Sequence, residues 1–132
     1  MKILLVQPPL NPNVIGAGIM YLSEPLALET GASCVHGHEI LILDMRVENK
    51  LEETLKSFNP DIVGVTALTP DVYTAKNILR KAKQFNSNIL TVVGGHHATV
   101  MPNDFFSREI DLIVIGEGHA AFKEIVESYG EK

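Results

Sequence analysis

The sequence lacks most of the features that mark secreted, membrane-spanning or nucleic-acid-binding proteins. Its single cysteine, Cys34, can form neither an internal disulfide nor a thiolate metal site, so nothing indicates an oxidising compartment. No apolar run approaches the ~20 residues of a membrane span. The 11 Lys and Arg are scattered and the formal net charge is −5, which argues against a nucleic-acid partner. Because Met1 and Lys2 lead directly into a predicted strand rather than a signal sequence, we expect a cytoplasmic protein.

The composition is that of an ordinary folded domain. Hydrophobic residues make up 45% of the 132 positions and charged residues 20%, far from the composition of disordered chains. A chain of this length is close to the usual size of one domain with one core. We therefore expect a single domain over residues 1–132, without internal repeats or linkers.

Short apolar segments alternate with helical patterns along the chain. The predicted strands are residues 3–7, 40–44, 62–66, 89–93 and 112–115. Two predicted helices are residues 24–36 and 51–58. A third follows Pro70 and has one apolar face, formed by Val72, Ala75, Ile78, Leu79 and Ala82. The apolar residues of the last helix are Ala121, Phe122, Ile125 and Val126. Because the strands are continuous apolar runs, they predict a parallel sheet covered on both faces. The expected fold is a flavodoxin-like, doubly wound α/β fold of five parallel strands in three layers.

The predicted strand ends carry the residues suited to a binding site. In a doubly wound fold, ligands bind at the carboxyl ends of the strands. There the sequence has Pro8-Pro9, Thr66 to Thr69, Gly94-Gly95 and Gly116-Glu117-Gly118. Glycines let a ligand approach the backbone, although each could also simply permit a tight turn. The loop of residues 10–23 is long for a strand-to-helix connection and is a further candidate binding element.

These segments resemble a known family over nearly the whole chain. The resemblance lies in Gly64-Val65-Thr66-Ala67-Leu68-Thr69, Val93-Gly94-Gly95-His96-His97-Ala98-Thr99, Ile115-Gly116-Glu117-Gly118 and Gly37-His38-Glu39. In this order and spacing they are similar to the cobalamin-binding domain at the amino end of B12-dependent radical SAM proteins. The resemblance implies base-off binding of cobalamin, with the nucleotide tail between strand ends and the corrin across the rim.

The resemblance also assigns residues to that site. Thr66, Leu68 and Thr69 would flank the tail, and the Gly94-Gly95 pair would pass along its benzimidazole. The turn at residues 116–118 would close the slot, with the loop from Pro8 beneath the corrin. The complete set of expected cofactor-binding residues is Pro8, Pro9, Thr66, Ala67, Leu68, Thr69, Gly94, Gly95, His96, His97, Gly116, Glu117 and Gly118. On this reading, Gly95→Val should abolish corrin binding and leave the fold intact.

The chain departs from the relatives in ways that limit its function. It has no Cys-x-x-x-Cys-x-x-Cys run, so S-adenosylmethionine and an iron–sulfur cluster could be held only on a module absent from this chain. We therefore expect the chain to be the amino-terminal part of a larger protein and not catalytic alone. The mutase-type signature Asp-x-His-x-x-Gly is also absent, since residues 8–23 contain neither Asp nor His. We therefore expect no protein imidazole beneath the cobalt.

Other interpretations remain open from the residues alone. A metal-binding site of His96, His97 and His119 is the main alternative, since imidazole is a common metal ligand. A flavodoxin-like domain that binds another small ligand is also possible from the residues alone. The sequence interpretation makes Cys34 a small core residue, Asp44 a cap, and His36 and His38 solvated turn residues. Met20 and Tyr21 could cover a corrin face or pack onto the domain.

Overall fold

A computed structural model of the protein describes residues 1–15 and 25–131, and a five-stranded parallel sheet forms its centre. The strands are β1 (Lys2–Gln7), β2 (Glu39–Asp44), β3 (Ile62–Thr66), β4 (Leu90–Gly94) and β5 (Leu112–Ile113). Their spatial order is β2-β1-β3-β4-β5, and every neighbouring pair is parallel. This order confirms the predicted flavodoxin-like fold, in which the carboxyl ends of the strands form the rim that binds ligands.

Helices cover both faces of the sheet and complete three layers. They are α1 (Leu26–Ser33), α2 (Leu51–Phe58), α3 (Val72–Phe85), α4 (His96–Val100) and α5 (Gly118–Gly130), with 3₁₀ turns at Thr69–Asp71 and Pro102–Phe105. Helices α1 and α5 pack together on one face, and α2 and α3 pack on the other. Of the helices in the described ranges, none is long and apolar enough to cross a membrane.

Each strand of the sheet centre contributes side chains to two cores. Along β1, Ile3 and Leu5 face α1 and α5, while Leu4 and Val6 face α2 and α3, because successive strand residues point to opposite faces. All of these β1 side chains are at most 3% exposed. Burial on both faces is the reason that the strands appear in the sequence as continuous apolar runs.

The helix limits agree with the sequence where the end signals are strong. Helix α2 has the predicted bounds, because Asn59 takes a left-handed conformation with φ of 49° at its end and Pro60 follows. The predicted face of α3, which includes Ile78 and Leu79, is buried. Pro70 lies in the preceding 3₁₀ turn rather than in α3.

Three elements differ from the sequence prediction. Helix α1 is shorter than residues 24–36, and Gly31 lies within it, where a Cβ would make only an ordinary contact of 3.9 Å with Phe122 of α5. Glu24 is outside the described residues. Strand β5 ends at Ile113, and Ile115, predicted as part of it, is 60% exposed. Helix α4 was not predicted, because five residues give too little helical periodicity.

The expectations for Asp44, His36, His38 and Cys34 are confirmed only in part. Asp44 is the predicted cap: its carboxylate accepts hydrogen bonds from the N–H and the guanidinium of Arg46, and the side-chain bond lowers its pKa despite partial burial. His36 is exposed in the turn before β2, whereas His38 is half-buried beside the terminal amine of Met1. Cys34 is half-buried after α1 and does not belong to the core clusters of the described residues.

A polar network fixes the amino ends of β4 and β5. The fully buried Thr91 donates its hydroxyl to the carbonyl of Glu109 at 2.7 Å and its N–H to the carboxylate of Asp111 at 2.9 Å. Lys83 forms an ion pair with the same carboxylate at 2.6 Å. Burial raises the pKa of Asp111, but the hydrogen bonds and charge of Lys83 and the bonds from Thr91 outweigh it, so the pKa lies below its ordinary value.

We expect Asp111→Asn to lower the free energy of unfolding at pH 7 by about 1 kcal/mol, a modest value because the carboxylate is partly exposed. The pKa of Asp111 in the folded protein lies below its value of about 3.9 in the unfolded chain. The carboxylate therefore stabilises the fold fully above the unfolded pKa, and this contribution is lost as the pH falls through the folded pKa. Urea denaturation from pH 7 to pH 3 should show the difference shrinking. Glu52→Gln, which removes only the exposed ion pair with Lys81, is the control; equal losses for both variants would contradict the prediction.

Candidate functional site

A pocket of about 540 Å³ opens at the carboxyl rim of the sheet, between α1 and α5. Its floor is apolar and includes Leu5 of β1, Val92 of β4 and Phe122 of α5. These side chains also belong to the core on that face of the sheet. The complete lining is Leu5, Ala27, Leu28, Thr30, Gly31, Gly64, Val65, Thr66, Val92, Gly94, Gly95, His96, Thr99, Val114, Gly116, Glu117, Gly118, His119 and Phe122.

Backbone without side chains forms much of the wall. Gly94 follows Val92 by two residues, so a Cβ on Gly94 would point to the same, pocket-lining face of β4. That Cβ would lie 3.5 Å from the Cβ of Val114, which is an ordinary contact. Gly116 has φ of 82°, a conformation that L side chains rarely adopt, and a Cβ there would meet no atom of the described residues within 4 Å. At both positions the absence of a side chain leaves the backbone accessible from the pocket.

Gly95 has a different function from Gly94. Its φ is 99°, and a Cβ there would lie 2.7 Å from the hydroxyl of Thr66 and within 2.9 Å of the backbone N and O of Ala67. No side chain fits, because the turn after β4 lies directly against the end of β3. The expectation that Gly95→Val leaves the fold intact is therefore wrong, since the valine would displace the backbone of β3.

Few polar groups line the pocket. Thr66 is half-buried and lines the pocket. Glu117, His96 and His119 are exposed. An apolar floor with a few polar groups is the usual lining of a site for a small organic ligand.

The structure brings many of the predicted site residues together in this pocket. Those that line it are Thr66, Gly94, Gly95, His96, Gly116, Glu117 and Gly118. Pro8, Pro9 and Leu68 lie at the same rim but outside the pocket. The side-chain amide of Asn11 donates to the carbonyl of Pro70 at 3.0 Å, so the loop after β1 lies against the loop after β3.

Ala67, Thr69 and His97, which the sequence analysis includes among the expected cofactor-binding residues, do not line this pocket. Ala67 is fully buried beside β4, where its N–H donates to the carbonyl of Gly94. His97 is 7% exposed and points to the opposite side of the sheet. Its Nδ1 lies 3.0 Å from the hydroxyl of Thr69, and its Nε2 lies 2.7 Å from the carboxylate of Asp104.

The predicted alternative of a histidine metal site is wrong. His96 and His119 line the pocket, whereas both ring nitrogens of His97 are engaged on the other side. Adjacent residues at the start of α4 point in different directions, so His96 and His97 cannot face one ion. Across residues 1–15 and 25–131, no group of three or more His, Cys, Asp or Glu side chains is placed to hold a metal ion.

Sequence reasoning missed part of the pocket. The floor residues Leu5, Gly64 and Val92 could have been found, because alternation along each strand places them on one face. The wall from α1, which includes Ala27 and Thr30, had no clear sequence pattern, because its predicted helix was interrupted by Gly31. Met20 and Tyr21, predicted to cover a corrin face or to pack on the domain, lie outside the described residues.

Comparison with known proteins assigns the chain to a family. The family described as "B12 binding domain" matches residues 13–126, which include the whole glycine-walled rim after β3. The chain belongs to the B12 binding domain family. This confirms the cobalamin-binding resemblance that the sequence motifs indicated.

Relatives of this B12 binding domain are larger proteins. It is 39% identical over 97% of its length to an uncharacterized methyltransferase of Pyrococcus horikoshii, of which it covers 29%. It is 42% identical, over 61% of its length, to an anaerobic magnesium-protoporphyrin IX monomethyl ester cyclase of Cereibacter sphaeroides, of which it covers 13%. The chain thus spans less than a third of either relative.

A solved structure shares the fold of this B12 binding domain. The crystal structure of a novel cobalamin-binding protein from Desulfitobacterium hafniense matches with a TM-score of 0.65 and 23% identity. The match covers 97% of this chain and 58% of that protein. It supports the flavodoxin-like fold described above.

We expect His97→Ala to lower the free energy of unfolding by about 2–4 kcal/mol, because it removes a buried ring and leaves Thr69 and Asp104 without their partner. The ring also packs edge-on against Phe105, with centroids 5.8 Å apart. His96→Ala, at the adjacent exposed position, should change stability by less than about 0.5 kcal/mol. Urea denaturation of both variants checks this. Equal, small losses would mean that the His97 contacts do not stabilise the fold.

Proposed function

We propose that this B12 binding domain binds cobalamin in the base-off form, with the nucleotide tail in the pocket and the corrin across the rim. It then presents the corrin to a radical SAM module, in cis or in trans. The observation that carries the proposal is the glycine-walled apolar pocket at the rim of a chain that belongs to this family. Cytoplasmic location remains part of the proposal.

The size and chemistry of the pocket support this proposal. Its volume of about 540 Å³ is within the range of small-ligand pockets. The apolar floor of Leu5, Val92 and Phe122 suits a flat, largely apolar benzimidazole. Thr66 offers a hydroxyl that can donate to or accept from a polar atom of the tail.

The remaining predicted residues fall into three groups according to their position at the rim. Gly94, Gly95 and the turn at residues 116–118 would lie along the tail. Leu68, which is 56% exposed, would contact the corrin at the rim together with the half-buried Pro9, and the buried Pro8 would support this loop. Ala67, Thr69 and His97 would stabilise the rim through contacts outside the pocket.

The whole protein's reaction lies beyond this chain. When bound, cobalamin supplies cobalt-centred chemistry, while the protein provides orientation and access. The chain has one cysteine and cannot hold an iron–sulfur cluster through thiolates, so the cluster and S-adenosylmethionine would be on the other module. The names of its relatives, a methyltransferase and a cyclase, allow more than one reaction. We therefore propose a cofactor-binding function and not catalysis by this chain alone.

The direct test is titration of the chain with hydroxocobalamin, followed by gel filtration and an absorption spectrum of the protein peak. We expect the unmodified chain to retain the corrin and Gly94→Val to lose it, because the branched side chain would fill the pocket, whereas the added Cβ itself makes only an ordinary contact with Val114. Gly94→Ala should show a smaller loss. Circular dichroism and urea denaturation check that the variants fold. Unchanged affinity in a folded Gly94→Val variant would show that the tail does not pass there.

We further expect bound cobalamin to have no protein imidazole beneath the cobalt. Residues 8–23 contain no histidine, and both ring nitrogens of His97 already have partners. His96 and His119 line the pocket proposed for the tail.

Electron paramagnetic resonance of the cob(II)alamin complex tests this, and the expected spectrum has no nitrogen superhyperfine splitting. A splitting that disappears in His96→Ala, His97→Ala or His119→Ala would identify a protein ligand. A splitting that persists in all three variants would show that cobalamin is bound base-on. Either result would contradict the prediction.

A further inference from the structure

Helix α4 connects the ends of three strands across one wall of the pocket. At one side, the N–H of His97 donates to the carbonyl of Ala67 at 3.1 Å, which fixes α4 to the end of β3. Ala98 follows and is fully buried in the core. Thr99 comes next and lines the pocket. Helix α4 is therefore bonded to the end of β3 through the backbone of His97, buried at Ala98 and open to the pocket at Thr99.

The hydroxyl of Thr99 joins the two glycine turns. It donates to the carbonyl of Gly95 at 3.1 Å and accepts a hydrogen bond from the N–H of Gly116 at 3.0 Å. A hydroxyl is suited to this position because one group can donate and accept at once. Of the hydrogen bonds between described residues, this is the one that joins the turn after β4 to the turn after β5.

The turn after β5 depends on this contact because β5 is so short. The strand has only two residues, and the next ladder bond runs from the N–H of Val114 to the carbonyl of Val93 at 2.8 Å. Beyond Val114, the N–H of Gly116 is held by Thr99 until α5 begins at Gly118. Ile115, between them, is exposed and does not anchor the turn.

We infer that Thr99 is a positioning residue that sets the width of the pocket by holding the Gly116 turn at a fixed distance from the Gly95 turn. This inference rests on the proposed function, since the pocket is assigned to the nucleotide tail of cobalamin. Thr99 need not contact the cobalt or the corrin. It acts through the backbone of the turns that would lie along the tail.

The first test needs no ligand. Amide exchange of the unliganded chain, followed by nuclear magnetic resonance, should show faster exchange of the Gly116 N–H in Thr99→Val, because valine keeps the shape and removes the acceptor. Thr99→Ser keeps the hydroxyl and should restore slow exchange. If the Gly116 N–H exchanges equally fast in the unmodified chain and in Thr99→Val, the hydroxyl does not hold the turn and the inference is wrong.

The second test measures cobalamin affinity by calorimetry. We expect Thr99→Val to weaken binding about three- to tenfold, the equivalent of one neutral hydrogen bond, and Thr99→Ser to bind as the unmodified chain does. Thr54→Val is the matched control. Thr54 also donates to the carbonyl four residues before it, Lys50, at 2.7 Å, but it lies on α2 and away from the pocket.

The outcomes separate this inference from the proposed function. If the unmodified chain binds cobalamin and Thr99→Val binds equally well, only the inference is wrong. Equal weakening in Thr99→Val and Thr54→Val would show a general effect of lost helix hydrogen bonds and would also overturn it. If the unmodified chain binds no cobalamin, the proposed function fails, and the inference about binding fails with it.

Discussion

The arrangement of the rim depends on how closely Gly95 approaches the end of β3. A Cβ at this position would lie 2.7 Å from the hydroxyl of Thr66, so only glycine permits the contact. Because the chain turns here with φ of 99°, α4 begins directly against β3. His97 then faces the core on one side of the sheet, and Thr99 faces the pocket on the other. The conformation of Gly95 thus places the buried His97 contact on one side of the sheet and the pocket wall on the other.

The fold could be predicted from the sequence because its main signals are local. Apolar runs such as residues 62–66 give buried parallel strands, and Asn59-Pro60 ends α2 at the predicted residue. The prediction was wrong where tertiary contacts override local pattern. Helix α1 ends at Ser33, three residues before its predicted end, and Val35 beyond it is buried in the core. Strand β5 is shorter than its apolar run, since Ile115 leaves the sheet for the glycine turn.

The site could be predicted only in part, for a geometrical reason. Sequence position places Thr66, Gly94 and Gly116 at one rim, and all of them line the pocket. It does not reveal which way a side chain points after the strand has ended. His96 and His97 are adjacent, yet one lines the pocket and the other is buried between Thr69 and Asp104. That difference arises from α4, which is too short to be recognised from periodicity.

The pocket and one of the two hydrophobic cores share several side chains. Leu5, Leu28, Val92 and Phe122 stabilise the fold on the α1 and α5 face, and they also line the pocket. A ligand held there would extend this core, so binding and folding would be thermodynamically linked. By mass action, a ligand at a hundred times its dissociation constant stabilises the folded state by about 2.7 kcal/mol. A substitution that loosens this face would therefore weaken ligand binding and fold stability together, even without touching a polar contact.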